Sequence, residues 1–246
     1  MARLGILMVI VFLLIYPLAY PAGGDLLEFE MQFLDLKGTF ILIETAEKNV
    51  LVVHDIYESY SYIHSFLVKN EIKSLDLVVI LGREDLDGHL VSALAKTFDI
   101  KMIWAMDHEV VWSTLTVQPL TSERKLELDK NSCIRVLYPP MLEEMVEERG
   151  AVIFLSSGSV NMVIVHNLTE REQKVFFRLK PELKADVVIL TDDVANSVAL
   201  RLIKQLEPEI LVRSGEHIDT ANAYYPFEQG ILKLQTDGLE VFLSKN

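Results

Sequence analysis

Two short stretches of this chain, each following an aspartate, contain no polar side chain at all. One is Leu77-Val78-Val79-Ile80-Leu81, entered from Asp76; the other is Val187-Val188-Ile189-Leu190, entered from Asp186. A strand with one wet face alternates apolar and polar residues, whereas a strand apolar at every position must be covered on both faces. Such strands belong to sheets with a second layer packed on each side. The segments that follow fit this arrangement. Leu90, Leu94 and Phe98 share helical spacing ahead of a strand at Lys101–Met106. Val198–Leu206 repeats the spacing ahead of Glu209–Val212. Strand–helix–strand therefore occurs twice, and the fold class is α/β with helices outside.

Each half opens with strands. Met31–Leu36, Phe40–Glu44 and Val50–Val53 are apolar runs separated by turn residues around Lys37-Gly38-Thr39 and Ala46-Glu47-Lys48-Asn49, which predicts a β-meander. Tyr57–Lys69 carries Tyr60, Ile63, His64 and Leu67 at helical spacing. Glu109–Tyr138 reads as strands with a charged turn at Ser122–Glu127, and Leu142–Arg149 as a solvated loop or short helix. Ala151–Leu155 and Val160–Val165 flank Ser156-Ser157-Gly158-Ser159, a hairpin signal. Thr169 with Glu172 three positions later is a capping box, opening a helix with Val175, Phe176 and Leu179. Ile231–Leu234 and Leu239–Leu243, with Thr236-Asp237-Gly238 between, predict a closing hairpin.

The N-terminal segment is of a different kind. Leu4 to Tyr20 is uncharged and almost wholly apolar, with Arg3 before it. About 20 apolar residues span a bilayer as a helix, and Leu4–Gly23 reaches that length. Arg3 favours the N-terminus inside and the rest outside. A cleaved signal peptide would instead need small residues around its cleavage point. Cleavage after Ala19 places Pro17 upstream, and cleavage after Ala22 places Tyr20 there. The expectation is a membrane anchor over residues 1–23 and one extracytoplasmic domain over residues 24–246. Secretion after cleavage is the alternative.

Composition excludes some classes. The formal net charge is −13 and no Lys/Arg-rich run occurs. A phosphate backbone would meet repulsion, so direct nucleic-acid binding is not supported. The single cysteine, Cys133, has no intrachain partner and is expected to be a buried thiol. No Walker loop, dinucleotide glycine pattern or nucleophile triad is present.

Several segments together resemble the metallo-β-lactamase-like domain that ends ComEC-type competence proteins. Phe33-Leu34-Asp35, continuing to Ile43, resembles that family's F-L-D-V-G-Q-G-D opening, one residue shorter and without G-Q-G-D. Ile72–Leu81 resembles the strand leading to its metal loop, and Leu183–Leu190 its second such strand. Leu206–Leu211 is similar to its V-K-P lead-in, and Thr236-Asp237-Gly238 to its last hairpin. The resemblance implies an αββα sandwich with the site along one sheet edge, commonly preceded by a transmembrane helix.

It also shows what has changed. Active members hold two metals with H-x-H-x-D-H after the first buried strand. Here Arg83 stands for the first His and Asp85 for the second. Asp87 matches the Asp, and Gly88 replaces the last His, with His89 one place late. The family's T-G-D, whose Asp bridges the metals, is matched by Val165-His166-Asn167; its H-H-G-S is matched by Asp192-Asp193-Val194-Ala195. Its last His falls near Asn222, with His217 a few residues early. A fixed cation at Arg83 repels a metal, and Asn167 has no charge with which to bridge two. Metal affinity depends on the whole ligand set.

The expectation is therefore a pseudoenzyme with no catalytic residue and no cofactor, binding a protein partner or acting structurally in DNA uptake or the envelope. Asp87 is then a cap for the helix of Leu90, Asp192 or Asp193 for the helix after them, and Asn167 or Thr169 for theirs. The alternative is a divergent hydrolase of the phosphodiesterase or nuclease kind. There Asp85, Asp87, His89, His166, Asp192 and Asp193 would hold a divalent metal that activates water. His54 ends a strand and could face the cleft; His64 belongs to a half-buried helix face, and His108 to a turn.

Overall fold

In the computed structural model the described residues are 29–34, 38–54, 60–82, 85–106, 115, 117–122, 124–140, 150–191, 194–214, 218, 220, 222–226 and 231–245, with backbone alone for 85–88. The expected anchor, His108, Leu142–Arg149 and His217 lie outside them. Among the described residues no helix is long and apolar enough to cross a membrane.

The chain runs β1 (Phe29–Phe33), β2 (Thr39–Thr45), β3 (Asn49–His54), α1 (Tyr60–Lys69), β4 (Ser74–Leu75), β5 (Leu77–Ile80), α2 (Asp85–Leu94), β6 (Asp99–Ile100), β7 (Ile103–Ala105) and β8 (Val117–Pro119). It continues with β9 (Lys125–Glu127), β10 (Ser132–Tyr138), β11 (Ala151–Ser157), β12 (Val160–His166), α3 (Glu170–Leu179), β13 (Val187–Leu190), α4 (Asn196–Leu206), β14 (Ile210–Arg213), β15 (Ala223–Tyr224), β16 (Leu232–Thr236) and β17 (Val241–Lys245).

These form an eight-stranded sheet, β17-β16-β1-β2-β3-β5-β7-β8, a seven-stranded sheet, β15-β14-β13-β12-β11-β10-β9, and a separate parallel pair, β4-β6. Each large sheet is antiparallel where it is built from hairpins and parallel from β3 or β12 onward, and α1, α2, α3 and α4 make the crossovers from β3 to β5, β5 to β7, β12 to β13 and β13 to β14. The final hairpin, β16–β17, returns to the first sheet beside β1.

Period-two alternation sorts the side chains into three layers. Ile41, Ile43, Val50, Val52, Leu77 and Val79 of the first sheet meet Ile153, Leu155, Met162, Ile164, Val187 and Ile189 of the second in one central core. The opposite faces carry Leu42, Leu51, Val78 and Ile80 under α1 and α2, and Phe154, Val163, Val188 and Leu190 under α3 and α4. This is the αββα sandwich. The two wholly apolar runs are β5 and β13, each covered by a sheet on one side and a helix on the other.

Both buried strands are entered the same way. The Asp76 carboxylate accepts from the Asn49 amide (3.0 Å) and that of Asp186 from the Asn161 amide (2.7 Å). The capping box also forms. Thr169 Oγ1 accepts from Glu172 N at 3.2 Å, and Glu172 Oε2 accepts from Thr169 N at 2.7 Å. The second Glu172 oxygen accepts from Gly150 N at 3.0 Å, tying α3 to the start of β11.

The hairpin tips of the two sheets meet. Ser159 N and Oγ both donate to Gly238 O, at 2.7 and 3.0 Å, and Gly158 N donates to Asn131 O at 3.1 Å. Gly158 has φ +57, and a Cβ built there would lie 2.3 Å from Gly238 O. Cys133 departs from expectation: it is half-buried, with Sγ 3.3 Å from Ser156 Oγ, because β10 lies one strand from the sheet edge.

Candidate functional site

The inward-facing stripe of each sheet ends in polar residues on one edge of the sandwich. Along β3 the stripe runs Val50, Val52, His54; along β12 it runs Met162, Ile164, His166. Counting by two along β13 leads from Val187 and Ile189 to Thr191, which is fully buried. On β2, Thr39 is buried and pairs with His54. The cause is local: β3, β5, β12 and β13 all run toward this edge, and each strand end delivers its last inward side chain there.

The two imidazoles come from opposite sheets and touch. Their ring centres are 4.1 Å apart with planes inclined by 58°. His166 is 2% exposed and its Nδ1 lies 3.1 Å from Thr191 Oγ1. Burial, followed by the neighbouring His54, holds the His166 imidazole well below its ordinary pKa. At neutral pH the ring carries no charge. On the outer face of the second sheet, buried Arg213 donates from Nη2 to Val194 O at 3.0 Å. That bond fastens the end of β14 to the loop after Thr191.

The expected site residues distribute unevenly. His166 is on the ledge, and Asn167 follows it in a left-handed conformation, φ +41. Asp85, Asp87, Gly88 and His89 all belong to α2, with His89 exposed. Asp87 was expected to cap this helix, but α2 already starts at Asp85, which places Asp87 inside its first turn. The cap of α4 is likewise Ala195, with no side-chain bond, so Asp192 and Asp193 are not its caps. Arg83, Asp192 and Asp193 lie outside the described residues, as do the side chains of Asp85 and Asp87. Asn222 is exposed, with Nδ2 donating to Glu209 O beside the start of β14 rather than at the ledge. His64 packs between Tyr60 and Phe98 on α1, as the half-buried helix face predicts.

Sequence reading gave His54 too little weight and missed Thr191 and Arg213. The signal for the first two was present: an apolar alternation that closes on a polar residue at the same end of two buried strands.

The donors described on the ledge are two imidazoles, the Thr191 and Thr39 hydroxyls and the Asn167 amide. Among the described residues no group of three or more His, Cys, Asp or Glu comes together. Two imidazoles sharing one zinc at tetrahedral angles keep their ring centres about 5 Å apart, given Zn–N bonds of about 2.0–2.1 Å. The observed 4.1 Å is ring-on-ring contact. This described set does not fit a centre of two metals bridged by a carboxylate.

No protein-family model matches the chain. No curated protein matches it either. Solved structures do. The metallo-β-lactamase fold protein YhfI from Bacillus subtilis is 13% identical, over 75% of this chain and 85% of that one, with a TM-score of 0.50. Igni18, a metallo hydrolase from the archaeon Ignicoccus hospitalis, is 13% identical over 75% and 82%, with a TM-score of 0.48. A diphosphatase from the PhnP family is 11% identical over 82% and 84%, with a TM-score of 0.47. At such identity the likeness to YhfI concerns the fold alone: this chain has the metallo-β-lactamase fold.

Proposed function

We propose that this metallo-β-lactamase fold serves as a binding module rather than a hydrolase. On this reading it is a relative of the ComEC C-terminal domain whose metal centre has been lost. Residues 1–23 tether residues 24–246 to the outer face of a membrane. The domain binds a protein partner or has a structural part in DNA uptake or an envelope assembly.

The observation that supports this reading is the His54–His166 contact. It lies at the sheet edge where the resemblance expects bridged metals, and the two rings are in contact. Asn167 stands where a bridging carboxylate is expected, and an amide does not neutralise two cations. His166 Nδ1 is already partnered by Thr191 Oγ1, at 3.1 Å.

The test is hydrolysis of model phosphodiesters and phosphomonoesters by the purified full chain, with zinc, manganese or magnesium in turn. The expected result is no turnover above the metal-only control. Metal-dependent cleavage that disappears in Asp87→Ala combined with Asp192→Ala would replace this reading with that of a rearranged hydrolase.

A further inference from the structure

The outer face of the first sheet changes character across its width. Under α1 and α2 it is apolar, with Leu42, Leu51, Val78 and Ile80. On β1 and β16 it is polar: counting by two from the inward Met31 and Leu234 leaves Glu30, Gln32, Lys233 and Gln235 outside, and Glu44 joins them near the end of β2. Along β2, Glu44 lies about 17 Å from Thr39 at the rise of a strand. The patch is therefore remote from the imidazole ledge and on the other face of the sheet.

Within the patch Glu30 is fully matched. Its Oε1 accepts from Gln32 Nε2 at 2.7 Å and Lys233 Nζ at 3.0 Å, and its Oε2 from Gln235 Nε2 at 2.6 Å. Glu44 is not. Its Oε2 accepts from Gln32 Nε2 at 2.9 Å, and its Oε1 receives no hydrogen bond from the described residues. Gln32, 2% exposed, spends Nε2 on both carboxylates. That fixes its Oε1 as an acceptor, and no donor among the described residues reaches it. Asn70, just past the end of α1, donates from Nδ2 to Phe66 O at 2.9 Å, which leaves its Oδ1 in the same condition. Gln32, Glu44 and Asn70 line one open cleft of about 330 Å³, together with Glu30 and Lys233. All three unmatched atoms are acceptors. Burial pushes the Glu44 carboxyl above its ordinary pKa, by more than the Gln32 bond lowers it, and Glu30 adds to the rise. Two carboxylates against the one ammonium of Lys233 leave the cleft negative.

What fits is a positive group with several N–H donors. An anion meets net repulsion. A calcium ion takes about six to eight oxygens, several of them from carboxylates. Among the described residues no three His, Cys, Asp or Glu come together, and Lys233 adds a cation to the wall of the cleft. We propose that this cleft binds a guanidinium or primary ammonium group, with the Glu44 carboxylate as counter-charge and the Gln32 and Asn70 side-chain carbonyls as neutral acceptors. The group belongs to a small molecule or to an arginine or lysine of a partner protein. The site does not depend on whether the ledge holds a metal.

The experiment is isothermal titration calorimetry on the purified full chain. Agmatine supplies a free guanidinium, and N-acetyl-arginine methylamide an arginine held in a peptide backbone. Saturable binding of either supports the site, and the tighter of the two assigns the source. Glu44→Gln keeps the shape, removes the charge and should weaken binding about tenfold or more. Glu47→Gln changes an exposed glutamate of the β2–β3 turn outside the cleft and should alter binding less than about twofold. Asn70→Asp adds a carboxylate and should tighten binding several-fold, a gain that no misfolded variant gives. Affinity of the native chain should rise with pH through the carboxylate range, because the cation pairs with ionised Glu44. Unsaturable heats at millimolar agmatine, or no gain in Asn70→Asp, overturn the proposal. Equal weakening in Glu44→Gln and Glu47→Gln also overturns it, since that is general attraction to an acidic surface. Calcium that displaces agmatine makes the cleft a metal site and overturns the choice of ligand.

Discussion

Gly158 is the position where a single methyl group should do the most damage outside the core. Two costs combine in Gly158→Ala. The residue has φ +57, where an L side chain costs roughly 1–2 kcal/mol. The new Cβ would also lie 2.3 Å from Gly238 O and 2.7 Å from Gly238 Cα, so backbone must move. Moving it breaks the Ser159 bonds to Gly238 O, worth about 1 kcal/mol each. The sum is about 3–4 kcal/mol, or roughly 6–16 °C in Tm for a domain of this size. Urea unfolding and calorimetry on Gly158→Ala and Gly158→Asn would check it. Asn tolerates the left-handed region but carries the same Cβ. The close approach therefore predicts that Asn recovers only the φ strain of about 1–2 kcal/mol and still loses about 2 kcal/mol. If Asn restores most of the stability, the hairpin tips do not meet as described and strain at φ alone is responsible.

Other consequences are separable. Because the folded His166 has a depressed pKa, the unfolded chain takes up a proton that the folded chain refuses. Stability is thus held above the unfolded value of about 6.5 and falls below it, by at most about 1.4 kcal/mol per pH unit. Denaturant melts through this window should show that slope in the native chain and a shallower one in His166→Gln; equal slopes would contradict a buried neutral ring. Thr169→Ala removes one half of the capping box and should cost about 1 kcal/mol. Glu172→Ala also strips the acceptor of the buried Gly150 amide and should cost about 2–3 kcal/mol in the same unfolding assay.

The layers of the fold were legible because burial on two faces leaves a mark on every residue of a strand. Leu77–Ile80 and Val187–Leu190 could be little else, and the Thr169–Glu172 box fixed the start of α3. The start of α2 was misjudged by several residues, since Asp85 opens a helix with no apolar stripe until Leu90. Cys133 looked buried because its neighbours are apolar. Neighbours in sequence do not reveal that only the short strand β9 lies beyond β10. Motif resemblance led to His166 and Asn167, and the sequence offered His54 as a strand end able to face the cleft, but the contact between the two rings became visible only once the two sheets faced each other. A contact between residues 112 positions apart leaves no local signature, though the alternation Val50-Val52-His54 showed which way the ring points.

Metal content tests the central claim most directly. The full chain should be purified after exposure to excess zinc or manganese, cleared of loose ions by gel filtration, and assayed by elemental mass spectrometry. With two imidazoles in ring-on-ring contact and an amide at Asn167 in place of a bridging carboxylate, retained metal should be far below one ion per chain and unchanged in His166→Gln. Two ions held per chain, and lost on replacing Asp87 or His166, would contradict it.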